Sequence, residues 1–381
     1  MTEFAKSYTR EAALRFPLLP GAGGVAWRYI FDWAVAGEAL HCAPGDLVLE
    51  FGSGTSYASE LLNRVGYRTV ALDLDVEMLT FARERMGLDS RLIPAWASYT
   101  AGDGQRLPFA DASFDGVICL NALHHMPDYT AALSEIRRIV KPGARAVFSE
   151  PGSRHADSPE SRLAREQFDA IERSIFLDEI HRMARSIGFE TMYVKPQVYA
   201  DMVQLDYGKL NRYRFNLSTA PYTRPDQIAR FLEDSHSVFI LQAPGQRPRT
   251  SQRPGVLRAA ISVAPLPAQV RPGQEIAVHA VVTNTGDTLW LAKPRELGGF
   301  VTLGVKLCQA DGRLLSDSLG RTLLEHDVAV GQKIEARSVF SLPSTFLSGN
   351  YLLRIDMVDE QVAGFDQHGS PGVEHRFLVP A

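Results

Sequence analysis

The chain has 381 residues, 45% of them hydrophobic and 22% charged, with a formal net charge of −4. That length supports two separate cores, and the mix is ordinary for a soluble globular protein. A slightly acidic chain offers no excess of cations to a phosphate backbone, so no nucleic-acid partner is expected. Cys42, Cys119 and Cys308 are odd in number and widely spaced, which argues against a disulfide framework, and they form no metal-ligand spacing. No apolar run is long enough to cross a bilayer. Met1–Tyr8 has no charged segment leading into an apolar one, so no signal peptide is expected and the cytoplasm is the expected compartment.

From about residue 25 to 243, helical and strand patterns alternate, which predicts a parallel sheet with crossover helices. Val25 to Leu40 reads as an amphipathic helix, and Asp46 to Phe51 as a buried strand running into Gly52-Ser53-Gly54. Thr55 or Ser56 can cap the next helix, which Gly66 ends. A second strand ends in Asp73. Asp75 can cap a third helix, whose apolar positions Met78, Phe81, Ala82 and Met86 recur at helical spacing before Gly87. Pro127-Asp128 opens a helix that buries Leu133, Ile136 and Val140 and stops at Pro142-Gly143, after which Ala144 to Ser149 forms a fifth strand. A charged helical stretch then runs to Gly188, and Thr191–Val194 and His236–Leu241 read as strands.

The acidic, glycine-spaced turn after the first strand is the most informative element. Two glycines there let backbone approach a ligand and permit positive φ, where a Cβ would interfere. The spacing is not that of a dinucleotide site, which would place a third glycine at the position of Tyr57. Glu50 would also repel a pyrophosphate, whereas it suits a ligand carrying positive charge. Glu50-x-Gly52-x-Gly54 resembles motif I of class I S-adenosylmethionine-dependent methyltransferases of the type 11 kind, whose cofactor carries a sulfonium and an ammonium.

Further segments resemble the same family in register. Asp73, followed by Leu74 and Asp75, falls where that family accepts both ribose hydroxyls. Gly102-Asp103-Gly104 resembles its adenine loop, with Asp103 accepting from the exocyclic amine. Ser113–Met126 resembles motif IV on the fourth strand, and Ala132–Gly143 the helix and turn before the fifth. The likeness covers roughly residues 45–150. It implies a Rossmann-like doubly wound α/β sheet whose final strand is antiparallel. It implies S-adenosyl-L-methionine as cofactor, with Glu50, Gly52, Gly54, Asp73, Leu74, Asp103, Gly104 and Asn121 as its binding residues.

Methyl transfer is an in-line displacement, so positioning supplies most of the acceleration and an oxygen acceptor must lose a proton. His124 and His125 lie just past the fourth strand, on the rim where open α/β sheets bind ligands. Either is a candidate base, His124 ahead of His125, although both could simply shape the loop. Glu150, at the end of the fifth strand, is a second candidate for base or for orienting the acceptor. His155 and Asp157 follow closely, but the spacing matches no ligand pattern and no metal is expected.

Two segments exceed a minimal version of this fold. An insertion at about 197–235 carries Tyr199, Tyr207, Arg212, Tyr213, Arg214, Phe215, Tyr222 and Arg224, groups that hold flat polar acceptors or pack a cap. The N-terminal arm, with Phe4–Tyr8 and Phe16–Gly24, has the Pro/Gly punctuation of a lid or of a loose start. After a linker at 246–255, residues 256–381 switch to period-two alternation at Ile276–Val282, Val301–Leu307 and Tyr351–Met357, separated by turn signals. This predicts an all-β sandwich. Asn284–Trp290 and the closing segment resemble immunoglobulin-like modules of bacterial glycan-modifying enzymes.

The chain thus reads as a methyltransferase domain over 1–245 followed by a sandwich that docks the acceptor, a protein partner or another protomer. The expected reaction is O-methylation of a saccharide or glycan-type acceptor, or methylation of a small secondary metabolite. A non-catalytic scaffold is the other class, and the intact set Glu50, Gly52, Gly54, Asp73 and Asp103 speaks against it.

Overall fold

The computed structural model describes residues 9–19, 23–196 and 236–380. The chain divides into two compact units, Met1–Arg247 and Pro248–Ala381. In the first unit, β1 (Leu47–Phe51), β2 (Arg68–Asp73), β3 (Ala97–Ala101), β4 (Phe114–Leu120), β5 (Val140–Glu150), β6 (Thr191–Pro196) and β7 (Ser237–Gln242) form one sheet in the order β3-β2-β1-β4-β5-β7-β6. The pairs β1–β2, β1–β4, β2–β3 and β4–β5 are parallel, and β7 is antiparallel to both β5 and β6. Order reverses between β1 and β4, so the crevice at their carboxyl ends is the topological switch point.

Both faces of this sheet are buried, which is why its central strands read as continuous apolar runs. Successive residues divide between two cores. Leu49, Val117, Phe148 and Phe239 join the cluster that α5 (Tyr129–Ile139) and α7 (Leu177–Ile187) cover with Ile136 and Ile180. Val48, Ile118, Val147 and Ile240 join the opposite cluster, covered by Ala36 and Leu40 from or beside α2 (Gly23–Ala39) and by Leu62 of α3 (Tyr57–Arg64).

Local chemistry places several helices as expected. Asp75 caps α4 (Val76–Gly87) by accepting from Glu77 N, and Asp128 caps α5 by accepting from Thr130 and Ala131 N. Gly188 ends α7 at φ +98°. Three expectations need correction. Ser56 precedes α3 in the left-handed region and makes no side-chain cap; Glu50 instead accepts from Ser59 N at 2.8 Å. β5 starts at Val140, directly after α5, so Pro142-Gly143 lies inside the strand, where Gly143 takes φ +70°. The charged stretch before Gly188 is two helices, α6 (Pro159–Phe168) and α7, with a connection at 169–176. The insertion at 197–235 lies outside the described residues, as does the arm before residue 9.

The second unit is all-β and antiparallel. β10 (Val301–Gln309), β11 (Leu314–Leu323), β13 (Gly349–Asp359), β14 (Ala363–Gly364) and β15 (Val373–Val379) form one sheet, and β8 (Ala259–Val263), β9 (Glu275–Asn284) and β12 (Lys333–Ser341) another. Val278 and Val282 of the smaller sheet share a core with Leu303 and Leu353 of the larger, which makes a sandwich. Trp290 is fully buried against Phe365, with ring centroids 5.2 Å apart, as a core anchor. Arg247 bonds to His41 O and Asp115 O in the first unit, and Ser251 is buried in the second, donating to Gly299 O at 2.9 Å.

Candidate active site

The glycine turn hangs between β1 and the start of α3. Gly52 takes φ +67°, and a Cβ built on it would lie 2.3 Å from the Cβ of Ala122, so the turn abuts the loop after β4. Gly54 takes φ +50°, and its N–H donates to Asp73 Oδ2 at 2.7 Å, while Asp75 N donates to Oδ1 at 2.9 Å. Each Asp73 oxygen keeps a further lone pair, which is what a ribose diol would use. Glu50 is buried beneath this turn, and burial raises its carboxyl to about 7 against the pull of Ser59.

Gly104 is a second close approach. A Cβ there would meet the Phe51 ring at 2.4 Å and Met126 Sδ at 3.2 Å, which packs the Asp103 loop against β1 and against the far end of the loop after β4. Asp103 is exposed and accepts from Gln105 N at 2.9 Å. Leu74 is 67% exposed at the end of β2, an apolar surface without cover among the described residues. Asn121 takes φ +55°, its N–H bonds Ser149 O at 2.8 Å, and its buried Nδ2 has no partner among the described residues. The hydroxyls of Ser53 and Ser56 are likewise buried and have no partner among the described residues. Glycines that admit backbone approach, a free amide donor, free hydroxyls and two carboxylates at strand ends fit an adenosyl ligand bearing positive charge.

Across the turn, Glu150 at the end of β5 is fully buried and organises the loop after β4. Its Oε1 accepts from Ala122 N at 3.0 Å and Leu123 N at 2.8 Å, and its Oε2 lies 2.6 Å from His124 Nδ1. Burial works to raise this carboxyl, yet the His124 and backbone hydrogen bonds together hold it below its ordinary value. His125 packs against His124 with ring centroids 3.9 Å apart, and its Nδ1 is 2.7 Å from Ile171 O. Burial, and then the neighbouring His124, hold His125 below the usual histidine range.

The structure brings Glu172 to this group from the α6–α7 connection. Its Oε2 lies 3.8 Å from His124 Nε2 and 2.7 Å from His155 Nε2, and its Oε1 lies 3.6 Å from His125 Nδ1. His155 therefore turns to Glu172 and Ser161, not to Glu150, and Asp157 makes no bond to either acid. Sequence reasoning missed Glu172 because nothing marks it within a stretch that reads as charged helix. It also missed Asp32 and His236. Asp32 is fully buried on α2, 3.6 Å from His236 Nε2, and burial raises it to about 7. His236 Nε2 is 2.8 Å from Ser149 Oγ, beside Glu150, and burial followed by Arg28 lowers it to about 3.

Residues 49–148 match the family model described as a methyltransferase domain. Among curated relatives, the chain is 34% identical over 150 residues to a demethylmenaquinone methyltransferase of Mycobacterium sp. (strain KMS), covering 39% of this chain and 57% of the relative. It is 39% identical over 117 residues to a malonyl-[acyl-carrier protein] O-methyltransferase of Erwinia pyrifoliae, covering 30% of this chain and 42% of the relative. The chain thus spans about half the length of these relatives. A solved structure of Haemonchus contortus phosphoethanolamine N-methyltransferase 2 with S-adenosyl-L-methionine aligns at a TM-score of 0.41 and 16% identity, over 63% of this chain and 60% of that one. The sheet order, the glycine turn and the acids at the strand ends of segment 49–148 are in keeping with this match to a methyltransferase domain.

Proposed function

We propose that the protein transfers a methyl group from S-adenosyl-L-methionine to an oxygen of a small hydroxylated acceptor. The observation that carries this is the approach of Gly52 to Ala122, which sets the cofactor turn directly beside the loop bearing His124 and His125. Asp73 and Asp103 hold the ribose and adenine, Glu50, Gly52 and Gly54 shape the turn, and Leu74, Gly104 and Asn121 complete the cofactor wall. Bound there, the cofactor supplies an electrophilic methyl group. Glu150 fixes His124, and the acceptor's proton leaves at the cluster of His124, His125 and Glu172.

A wall of imidazoles and carboxylates suits a saccharide or similar polyol better than an apolar ring. The Tyr/Arg-rich insertion and the C-terminal sandwich support the same class, the sandwich docking the acceptor, a protein partner or a second copy. Its strands carry the immunoglobulin-like resemblance only loosely. No helix among the described residues is long and apolar enough to cross a membrane, and the reaction is assigned to the cytoplasm, where the methyl donor is made.

Calorimetric titration with S-adenosylmethionine and S-adenosylhomocysteine tests the cofactor half, with micromolar binding of both expected. Labelled methyl transfer to a panel of saccharides, and to phenolic and quinol metabolites, tests the acceptor half. Binding without transfer to any hydroxyl would favour a scaffold over an enzyme. A chain ending at Arg247 that binds cofactor but has lost saccharide methylation would support the docking role of the sandwich.

A further inference from the structure

We propose that His124, His125 and Glu172 form a binding site for a divalent first-row transition-metal ion such as zinc. One ligating atom from each lies within 4.8 Å of the other two. His124 Nε2 and Glu172 Oε2 are 3.8 Å apart, too far for a hydrogen bond, and His124 Nε2 makes none among the described residues. Ligands about 2.0–2.2 Å from a tetrahedral ion stand about 3.4 Å from one another, so small side-chain adjustments bring this set onto an ion.

The outer contacts argue more strongly than the spacing. Glu150 is a carboxylate 2.6 Å from His124 Nδ1, which puts the proton on Nδ1 and leaves the Nε2 lone pair facing Glu172. His125 Nδ1 is 2.7 Å from the Ile171 carbonyl, which can only accept, and 3.6 Å from Glu172 Oε1, so its free lone pair is on Nε2 and the ring must turn to bring that atom to an ion beside Glu172. Glu172 in turn accepts from His155 Nε2 at 2.7 Å and from Ser161 Oγ at 3.3 Å. Each candidate ligand is thus oriented by a separate partner, as metal ligands usually are. Two neutral imidazoles and one carboxylate leave a divalent ion with a net positive charge and at least one open position. With the ion in place the two imidazoles are ligands and no longer accept the acceptor's proton; an oxygen bound in the open position loses it to solvent, more readily than when unbound. Only this last use of the ion rests on the methyl-transfer reading; the binding site stands on the geometry.

The test uses the full chain, stripped with a chelator and dialysed against Zn²⁺ or Co²⁺, with metal content measured by elemental analysis. About one equivalent per chain is expected, with a visible cobalt spectrum of nitrogen and oxygen ligation free of thiolate charge transfer. Glu172→Gln and His125→Ala should each weaken binding at least about tenfold while S-adenosylhomocysteine still binds as in wild type. Absence of stoichiometric binding, or binding that neither substitution weakens, overturns the proposal. If a variant fails to fold, the wild-type stoichiometry and cobalt spectrum decide alone. Metal bound by a protein that does not bind S-adenosylhomocysteine would uphold the ion site and sink the methyl-transfer reading.

Discussion

Glu150 Oε2 stands 2.6 Å from His124 Nδ1 while the other oxygen of the same carboxylate takes the N–H groups of Ala122 and Leu123. One buried side chain therefore fixes both the path of the loop and the tautomer of its first imidazole. Glu150→Gln keeps the shape but supplies an amide nitrogen where one of these donors now points. Methyl transfer should fall roughly 10–100-fold, the usual cost of losing such an orienting partner, with cofactor affinity nearly unchanged. Unaltered turnover in a labelled-methyl assay would remove Glu150 from the site.

Asp73 and Asp103 should separate structure from binding. Asp73 closes the glycine turn through Gly54 N and Asp75 N, whereas Asp103 is exposed and its carboxylate bonds, among the described residues, to Gln105. Asp73→Ala should cost both thermal stability and S-adenosylhomocysteine affinity, roughly 1.5–3 kcal/mol for each charge-assisted bond lost. Asp103→Ala should lower affinity and leave the melting temperature in place. Calorimetry and thermal unfolding on the same two variants check both statements, and equal affinity to wild type in either removes that residue from the cofactor wall.

Gly52→Ala faces two separate penalties. A φ of +67° costs a residue with a Cβ about 1–2 kcal/mol, and the new Cβ would fall 2.3 Å from that of Ala122. The variant should be destabilised and bind cofactor poorly. Adding Ala122→Gly should return the steric part of the loss and not the backbone part, a partial rescue that thermal unfolding can measure. No rescue would mean that the two loops do not meet as described.

The second unit should lose stability as pH rises. Asp359 is fully buried with both carboxylate oxygens unpartnered among the described residues, and burial raises it to about 8 from an ordinary 3.8. Asp356, also raised by burial, to about 6, adds the same sign. The folded state holds these protons where the unfolded chain has released them. Their stabilising contribution is therefore complete below about pH 4 and is lost as pH climbs through the folded values. Asp359→Asn should flatten the fall between about pH 4 and pH 8 and stabilise the unit at the upper end by about 1–3 kcal/mol. Hydrogen exchange of β13 amides at pH 5 and pH 8 reads the effect, and a wild-type unit equally stable at both would refute it.

The parallel core was legible because each strand is a short apolar run that ends in a residue with its own chemistry, Glu50, Asp73 or Glu150. The caps at Asp75 and Asp128 were legible for the same local reason, an acid just before a helical period. What lay beyond local pattern was missed. The N–H groups opening α3 are met by Glu50 from the preceding strand, a contact between residues 50 and 59 that no capping signature records. Gly143 looks like a terminator, but at φ +70° it lets β5 leave α5 without a loop. Glu172 sits in a connection without periodicity, and only the packing of 169–176 against the loop after β4 gives it a role. Asp32 reads as a polar interruption of an amphipathic helix until His236 arrives from the far end of the unit.

The contact between Gly52 and Ala122 limits how this architecture can diversify. Residue 122 cannot grow without displacing the glycine turn after β1, and Met126, four positions on, is pinned in the same way by Gly104. The loop after β4 is thus anchored at both ends to parts every acceptor would have to share. New acceptor preferences have to arise elsewhere on the rim, and the connection from 169 to 176 shares the loop's constraint, since Arg173 bonds to His124 O through its backbone and to Met126 O and Pro127 O through its guanidinium.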